Sequence, residues 1–278
     1  MIVPWLPPGH VAHLPGRGEM FYRHHRHADA SAPTLLLLHG WTASADLQFF
    51  TAYEALAEHF SFIAVDHRGH GRGLRRPEKF ELTDVADDCA ALVQQLELGP
   101  VITVGYSMGG PISMLLAQRD PELVQAMVLQ ATALEWRSTW RERLKWKTVH
   151  IIGPLLRSWA FTRWLQWGIK RLLGRNHPLN QYVPWMAKEL SRNDALSVVQ
   201  AGQSLSRYDA RPWASSLGKP AASLITTRDR LVKPRKQRAL ADAVNAYVVE
   251  LPDNHLTAWT SPDAFAKASV ELVRNLTS

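Results

Sequence analysis

Six short apolar runs set the limits on what this chain can become: Thr34–Leu38, Phe60–Val65, Val101–Val104, Ala126–Leu129, Ala222–Thr226 and Ala246–Leu251. Each has the length of a strand, and near-continuous apolar runs of this kind are what strands buried on both faces require. Stretches with helical spacing separate them, clearest over Phe49–His59, Leu82–Leu98, Pro111–Arg119, Arg235–Asn245 and Pro262–Leu276. Such alternation predicts an α/β architecture, a doubly wound and mostly parallel sheet with right-handed crossovers. The opening segment Val11–His27 reads as an antiparallel hairpin with its turn at Pro15–Gly18, and Met20–His27 as an exposed strand. At 278 residues, 46% of them hydrophobic, the chain is long enough for one large α/β domain with an inserted subdomain.

The alternation stops between about Glu135 and Ser216, a helical stretch rich in Trp and Arg with no strand candidate. We read residues 135–216 as a helical cap inserted into a core formed by residues 1–134 and 217–278. Charge is concentrated there too. Glu135–Arg175 carries ten Lys/Arg against two acids, a local net of +8, so that with the whole chain at +7 the remainder is close to neutral. No apolar run approaches the length of a membrane-spanning helix, roughly 20 residues. The start of the chain has three prolines and no basic residue before an apolar stretch, so no signal peptide is expected. The single cysteine, Cys89, excludes an internal disulfide framework and fits a reducing, cytoplasmic compartment. It falls mid-helix and reads as packing. No paired-cysteine or HExxH spacing points to a metal, and His24, His25 and His27 belong to the strand pattern.

The strongest chemical signal is Gly105-Tyr106-Ser107-Met108-Gly109, directly after the run Val101–Val104 and before a helical stretch. This is G-x-S-x-G in the strand–turn–helix context the motif requires, with Ser107 as nucleophile and glycines where neighbouring backbone is crowded. A second signal is Leu38-His39-Gly40-Trp41 at the end of the first apolar run. A tetrahedral intermediate needs two preorganised N–H donors for its oxyanion. The backbone N–H groups of Met108 and Trp41 are positioned to be those donors, and His39 reads as a loop organiser rather than a base.

These motifs, with Asp66-His67-Arg68-Gly69-His70-Gly71-Arg72-Gly73 after Phe60–Val65, resemble the α/β-hydrolase-fold superfamily, in particular its capped esterase/lipase-like branch. The resemblance runs from about Val11 to Leu276. It departs from the family at Gly73, a turn position that usually holds serine, and at Asn254, where glycine often precedes the histidine. The family's chain order is nucleophile, acid, histidine. Carried over, it makes Asp229, after the run Ala222–Thr226, the acid and His255, after Ala246–Leu251, the base. Glu135 stands as the alternative acid, because some members carry theirs after the strand corresponding to Ala126–Leu129. Asp253 reads as a turn residue, and Ser44 and Asp46 as N-caps of the helix that includes Phe49.

A serine nucleophile with a His-Asp pair and two backbone donors is acyl-transfer equipment. The expected reaction is hydrolysis of a small-molecule carboxylic ester, with an apolar acyl chain, and no cofactor or metal. Other acyl transfers, carbon–carbon hydrolysis and perhydrolase chemistry use the same parts, and some proteins of this fold are non-catalytic receptors. Arg68–Arg75 lacks the layout of a phosphate loop. In the cap, Trp136, Trp140, Trp146, Trp159, Trp164 and Trp167 are interleaved with Arg137, Arg141, Arg143, Lys145, Lys147, Arg157 and Arg163. Two readings stay open: the tryptophans roof the active site, or they join the basic residues at a membrane surface. As a helix, Leu156, Arg163, Trp167 and Arg171 would share one face, so the segment is not cleanly amphipathic. Nucleic-acid binding is not expected from this interleaving alone.

Overall fold

In the computed structural model, which describes residues 1–147 and 159–277, the apolar runs assemble into one eight-stranded sheet ordered β1-β2-β4-β3-β5-β6-β7-β8. The strands are β1 Gly9–Leu14, β2 Gly18–His25, β3 Thr34–Leu38, β4 Ser61–Val65, β5 Val101–Tyr106, β6 Val124–Gln130, β7 Ala221–Thr226 and β8 Tyr247–Leu251. β1 pairs antiparallel with β2, and β2 with β4; all remaining pairs are parallel. Successive residues point to opposite faces, as pleating demands. In β3, Leu36 and Leu38 join one buried layer while Leu35 and Leu37 join the other. Helices Leu82–Gln95 and Gly109–Arg119 cover the first face, and Pro262–Thr277 packs on the second.

Three details differ from the sequence reading. β2 is not exposed: it is paired on both sides and buries Met20 and Tyr22, with His25 reaching the Ala57 carbonyl at 3.1 Å. β8 closes the sheet's edge and leaves Tyr247 and Val248 largely in solvent, so this run is not buried on both faces. The expected helix Phe49–His59 is two short helices, Ala45–Phe49 and Tyr53–Ala57. Ser44 starts the first by accepting the Leu47 N–H at 3.2 Å. Asp46 is not a cap. It is fully buried and ion-paired with Arg23 and Arg72. In the break between the helices, the Thr51 hydroxyl donates to the Ala258 carbonyl at 2.9 Å, tying this region to the loop after β8.

Between β6 and β7 the described residues form helices Trp140–Lys147, Trp159–Leu173, Val183–Leu190 and Ala195–Arg207, with one isolated bridge, Glu135 to Asp209, and no strand. Arg157 and Leu156 lie outside the described residues, as do the side chains of Arg141, Lys145, Lys147, Trp159 and Arg163. Among the described residues no helix is long and apolar enough to cross a membrane.

Candidate active site

β5 presents Ser107 at a sharp turn, with φ of 52°. A left-handed backbone at a non-glycine residue costs roughly 1–2 kcal/mol and persists only where surroundings enforce it. Here the Ser107 N–H donates to the Gln130 carbonyl at 2.8 Å. Its own carbonyl accepts from the Gly110 N–H at 3.0 Å and the Thr132 hydroxyl at 2.7 Å. The flanking glycines are required by contact: a Cβ on Gly105 would sit 2.3 Å from the Gly109 carbonyl oxygen, and one on Gly109 would sit 2.0 Å from that of Leu38. Helix Gly109–Arg119 starts at once, directing its positive dipole end toward the serine.

His255 reaches the serine from the loop after β8. Its Nε2 lies 3.0 Å from Ser107 Oγ, and its Nδ1 lies 2.6 Å from Asp229 Oδ2. With Nδ1–H donating to the carboxylate, the Nε2 lone pair faces the serine hydroxyl. Two contacts fix the loop: the Tyr106 hydroxyl donates to the His255 carbonyl at 2.8 Å, and Asn254 Oδ1 accepts the Leu256 N–H at 2.7 Å. Burial, then the charges of Asp229 and Asp253, push the Tyr106 phenol well up, so it remains a donor. Asn254 does not need a glycine-like conformation, since it is not among the positive-φ residues.

Asp229 is 4% exposed and surrounded by donors. Its Oδ1 accepts the N–H groups of Leu231 and Val232 at 2.8 and 2.9 Å; its Oδ2 accepts the Thr226 hydroxyl at 2.9 Å and the Gln237 amide at 3.0 Å. Burial disfavours its charge. The bond and charge of His255, with the Val232 N–H and the Thr226 hydroxyl, outweigh that and hold the carboxyl below its ordinary range. Glu135 lies elsewhere, 2.9 Å from the Lys236 ammonium, which also meets Glu142 at 3.0 Å. That partner, with the Thr139 N–H, overcomes burial and pulls Glu142 to about 2. Asp253 is indeed a turn residue, accepting from Thr260 and from the Asn254 N–H.

The loop that leads to Trp41 rests on a buried histidine cluster. His39 Nδ1–H donates to the Gly40 carbonyl at 2.8 Å, and its Nε2 accepts the His67 N–H at 3.0 Å, so it organises the loop that presents Trp41. His67 returns its Nε2–H to the His39 carbonyl at 3.1 Å. Among the described residues, the backbone N–H groups of Trp41 and Met108 have no protein acceptor. Gly73 has a steric reason that its turn position alone did not reveal. A Cβ there would lie 2.2 Å from the His67 carbonyl oxygen, so serine does not fit this turn without displacement.

A family model described as alpha/beta hydrolase fold matches residues 33–148. Among solved structures, a thermophilic esterase from Thermogutta terrifontis superposes with a TM-score of 0.78 at 20% identity, over 98% of this chain and 100% of that one. The enol-lactonase of Burkholderia xenovorans gives 0.76 at 21% identity, over 95% and 99%. The chain has the α/β-hydrolase fold. Curated relatives are similar over shorter stretches. The 2-(acetamidomethylene)succinate hydrolase of Mesorhizobium japonicum is 38% identical over 98 residues, 35% of this chain and 35% of that protein. The pimeloyl-(acyl-carrier protein) methyl ester esterase of Nitrosospira multiformis is 30% identical over 129 residues, 45% of this chain and 49% of that one. The chain thus spans less than half the length of either relative.

In this α/β-hydrolase fold, Ser107 and His255 stand where two cavities meet. A larger cleft of about 330 Å³ opens toward the helical segment and is lined by Trp41, Trp136, Trp146, Leu205 and Leu231, with Lys236 and its two carboxylates in one wall. A smaller pocket of about 80 Å³ runs the other way, toward Leu47, Gln48, Leu190 and Trp259. The Trp/Arg segment divides accordingly. Trp136 and Trp146 pack inward, Trp146 with its ring 5.7 Å from that of Trp41. Trp140, Trp164 and Trp167 are mostly exposed, and the Arg171 guanidinium lies over the Trp167 ring at 5.5 Å. Sequence reasoning missed Gln237 and Tyr106, which bond to the Asp229 carboxylate and to the His255 carbonyl. Neither carries a linear signal: Tyr106 occupies a variable position of its motif, and Gln237 sits on a helix face whose burial only the fold defines.

Proposed function

We propose that this protein is a serine hydrolase that cleaves a carboxylic ester through an acyl-enzyme on Ser107, His255 and Asp229. The observation that carries this reading is the unbroken hydrogen-bonded line from Ser107 Oγ through the His255 ring to Asp229. His255 Nε2 takes the hydroxyl proton as Oγ bonds to the ester carbonyl carbon, and Asp229 stabilises the resulting imidazolium. The Trp41 and Met108 N–H groups receive the oxyanion. Collapse expels the alcohol with the proton from His255. Water then attacks the acyl-enzyme by the same route, and the acid leaves.

In this reading the helical segment 135–216 acts as the cap and the larger cleft receives an apolar acyl chain, its tryptophans and leucines supplying the burial. The names of the relatives, a methyl ester esterase and a 2-(acetamidomethylene)succinate hydrolase among them, favour hydrolytic chemistry. We also propose that the outward-facing Trp140, Trp164 and Trp167, on a segment of net positive charge, contact a membrane surface peripherally. The test of the catalytic reading is labelling of Ser107 by an alkyl phosphonate together with turnover of p-nitrophenyl esters. A folded protein that neither labels nor hydrolyses any such ester refutes it.

A further inference from the structure

The smaller pocket contains a polar group that the catalytic parts leave unused. Gln48, on helix Ala45–Phe49, is 8% exposed and lines this pocket beside Leu190 and Trp259. Its amide makes no hydrogen bond with protein among the described residues, although the Asp46 and Ser44 side chains on the same turn are all engaged. Its position relative to the nucleophile is fixed through Gly40. A Cβ built on Gly40 would lie 3.3 Å from Gln48 Oε1 and 3.3 Å from Ser107 Cβ, so the amide and the nucleophile's Cβ are at most twice that distance apart. The amide is not among the buried polar atoms cut off from solvent, so its donors and acceptor open into the pocket and are available to whatever enters it.

We infer that Gln48 selects the alcohol portion of the ester, favouring alcohols that carry a second hydroxyl about two carbons from the ester oxygen. The inference rests on the ester-hydrolase reading above. The larger, apolar cleft suits the acyl chain, which leaves the short pocket for the group that departs. That side must also admit water in the second step, and it borders His255, which has to protonate the alcohol and then deprotonate the water. A pocket of about 80 Å³ holds only a few heavy atoms, so a short diol fragment matches it in size as well as polarity. A hydroxyl both donates and accepts, and so pairs with either end of the amide.

The test uses 2-hydroxyethyl hexanoate and n-propyl hexanoate, which have equal numbers of heavy atoms and form the same acyl-enzyme. Any difference in kcat/KM therefore reports acylation, and comparing the ratio between variants cancels intrinsic reactivity. Gln48→Met, similar in shape but unable to pair, should lower the ratio of hydroxyethyl to propyl ester by about tenfold or more. Gln48→Glu, which still accepts from a hydroxyl, should hold the ratio within about threefold of wild type. Hydrolysis of both esters with an unchanged ratio, a parallel fall for both esters, or equal loss of preference in the two variants would overturn the assignment while leaving ester hydrolysis intact. No hydrolysis of either ester by a protein whose Ser107 resists phosphonate would overturn the ester reading, and this inference with it.

Discussion

Lowering the pH from 7 to 5 should destabilise this protein through the histidines under the loop that leads to Trp41. His39, His67 and His70 are all fully buried. Burial above all, reinforced by the neighbouring rings, holds His39 well below the ordinary value of 6.5 and His67 at about 3; burial likewise holds His70 at about 4. The folded state therefore keeps these rings neutral throughout this interval, whereas the unfolded chain takes up their protons below 6.5. Folded pKa values that are depressed for a base give stability that is complete above pH 6.5 and lost as pH falls. At pH 5 the loss is about 2 kcal/mol each for His67 and His70, and His39 adds to it in the same direction. Asp66 opposes this. Burial and the nearby charge of Asp46 raise its carboxyl to about 6, so the folded state binds this proton first and recovers about 1 kcal/mol over the same interval. Carboxylates held low, such as Asp229 and Glu142, titrate below this window and do not contribute to it.

The net expectation is a loss of about 3 kcal/mol or more between pH 7 and pH 5, a large share of the stability of a marginal domain. Urea unfolding followed by far-UV circular dichroism at pH 8, 7, 6 and 5 measures it directly. Side-chain NMR of the imidazoles shows whether the three rings stay neutral in the folded protein. A stability change under about 1 kcal/mol, or three rings titrating near 6.5 while the protein remains folded, would refute the reasoning. Activity should disappear with the fold on this limb, because His39 and His67 hold the loop that carries Trp41.

Three further outcomes are expected. Ser107→Ala should lower kcat by about 10³-fold or more with an unchanged far-UV spectrum, residual rate coming from the oxyanion donors; full activity would remove Ser107 from the mechanism. Asp229→Asn should cut kcat heavily by turning the His255 ring to the wrong tautomer, whereas Glu135→Gln should alter kcat little, since Lys236 keeps Glu142; steady-state kinetics of the two variants showing the reverse would exchange their roles. In flotation assays, vesicles with anionic lipid should carry the protein at low salt and less of it at high salt, each exposed basic residue contributing about 1 kcal/mol near the surface. Absence of binding to anionic vesicles at low salt would restrict the tryptophans to roofing the cleft.

The sheet and the turn at Ser107 were legible because they rest on local rules, whereas Asp229 and His255 followed only from the chain order that the family resemblance implies. A buried strand announces itself as an apolar run, and the turn at Ser107 needs glycine on both sides for steric reasons that leave a linear trace. Asp46 was misread as a cap because an acid near a helix start has that meaning in most surroundings. Its partners, Arg23 and Arg72, arrive from β2 and from the loop after β4. The division of the tryptophans was equally invisible. Trp136 and Trp140 differ by one helical turn in sequence, yet one packs on the core and the other faces solvent. Gln48 left no trace at all, since an amide's lack of partners is a property of the folded neighbourhood.

Helix Pro234–Ala243 joins features that the sequence presents as unrelated. Gln237, buried on this helix, holds the Asp229 carboxylate, the Thr226 N–H and the Val232 carbonyl at once. The adjacent Lys236 points the other way, into an ion pair with Glu135 and Glu142, which lie on the segment that carries Trp136 and Trp146 over the cleft. Both carboxylates and the ammonium are mostly buried, where losing one partner is costly. One helix thus anchors both the segment over the cleft, through Lys236, and the Asp229 carboxylate beside His255, through Gln237.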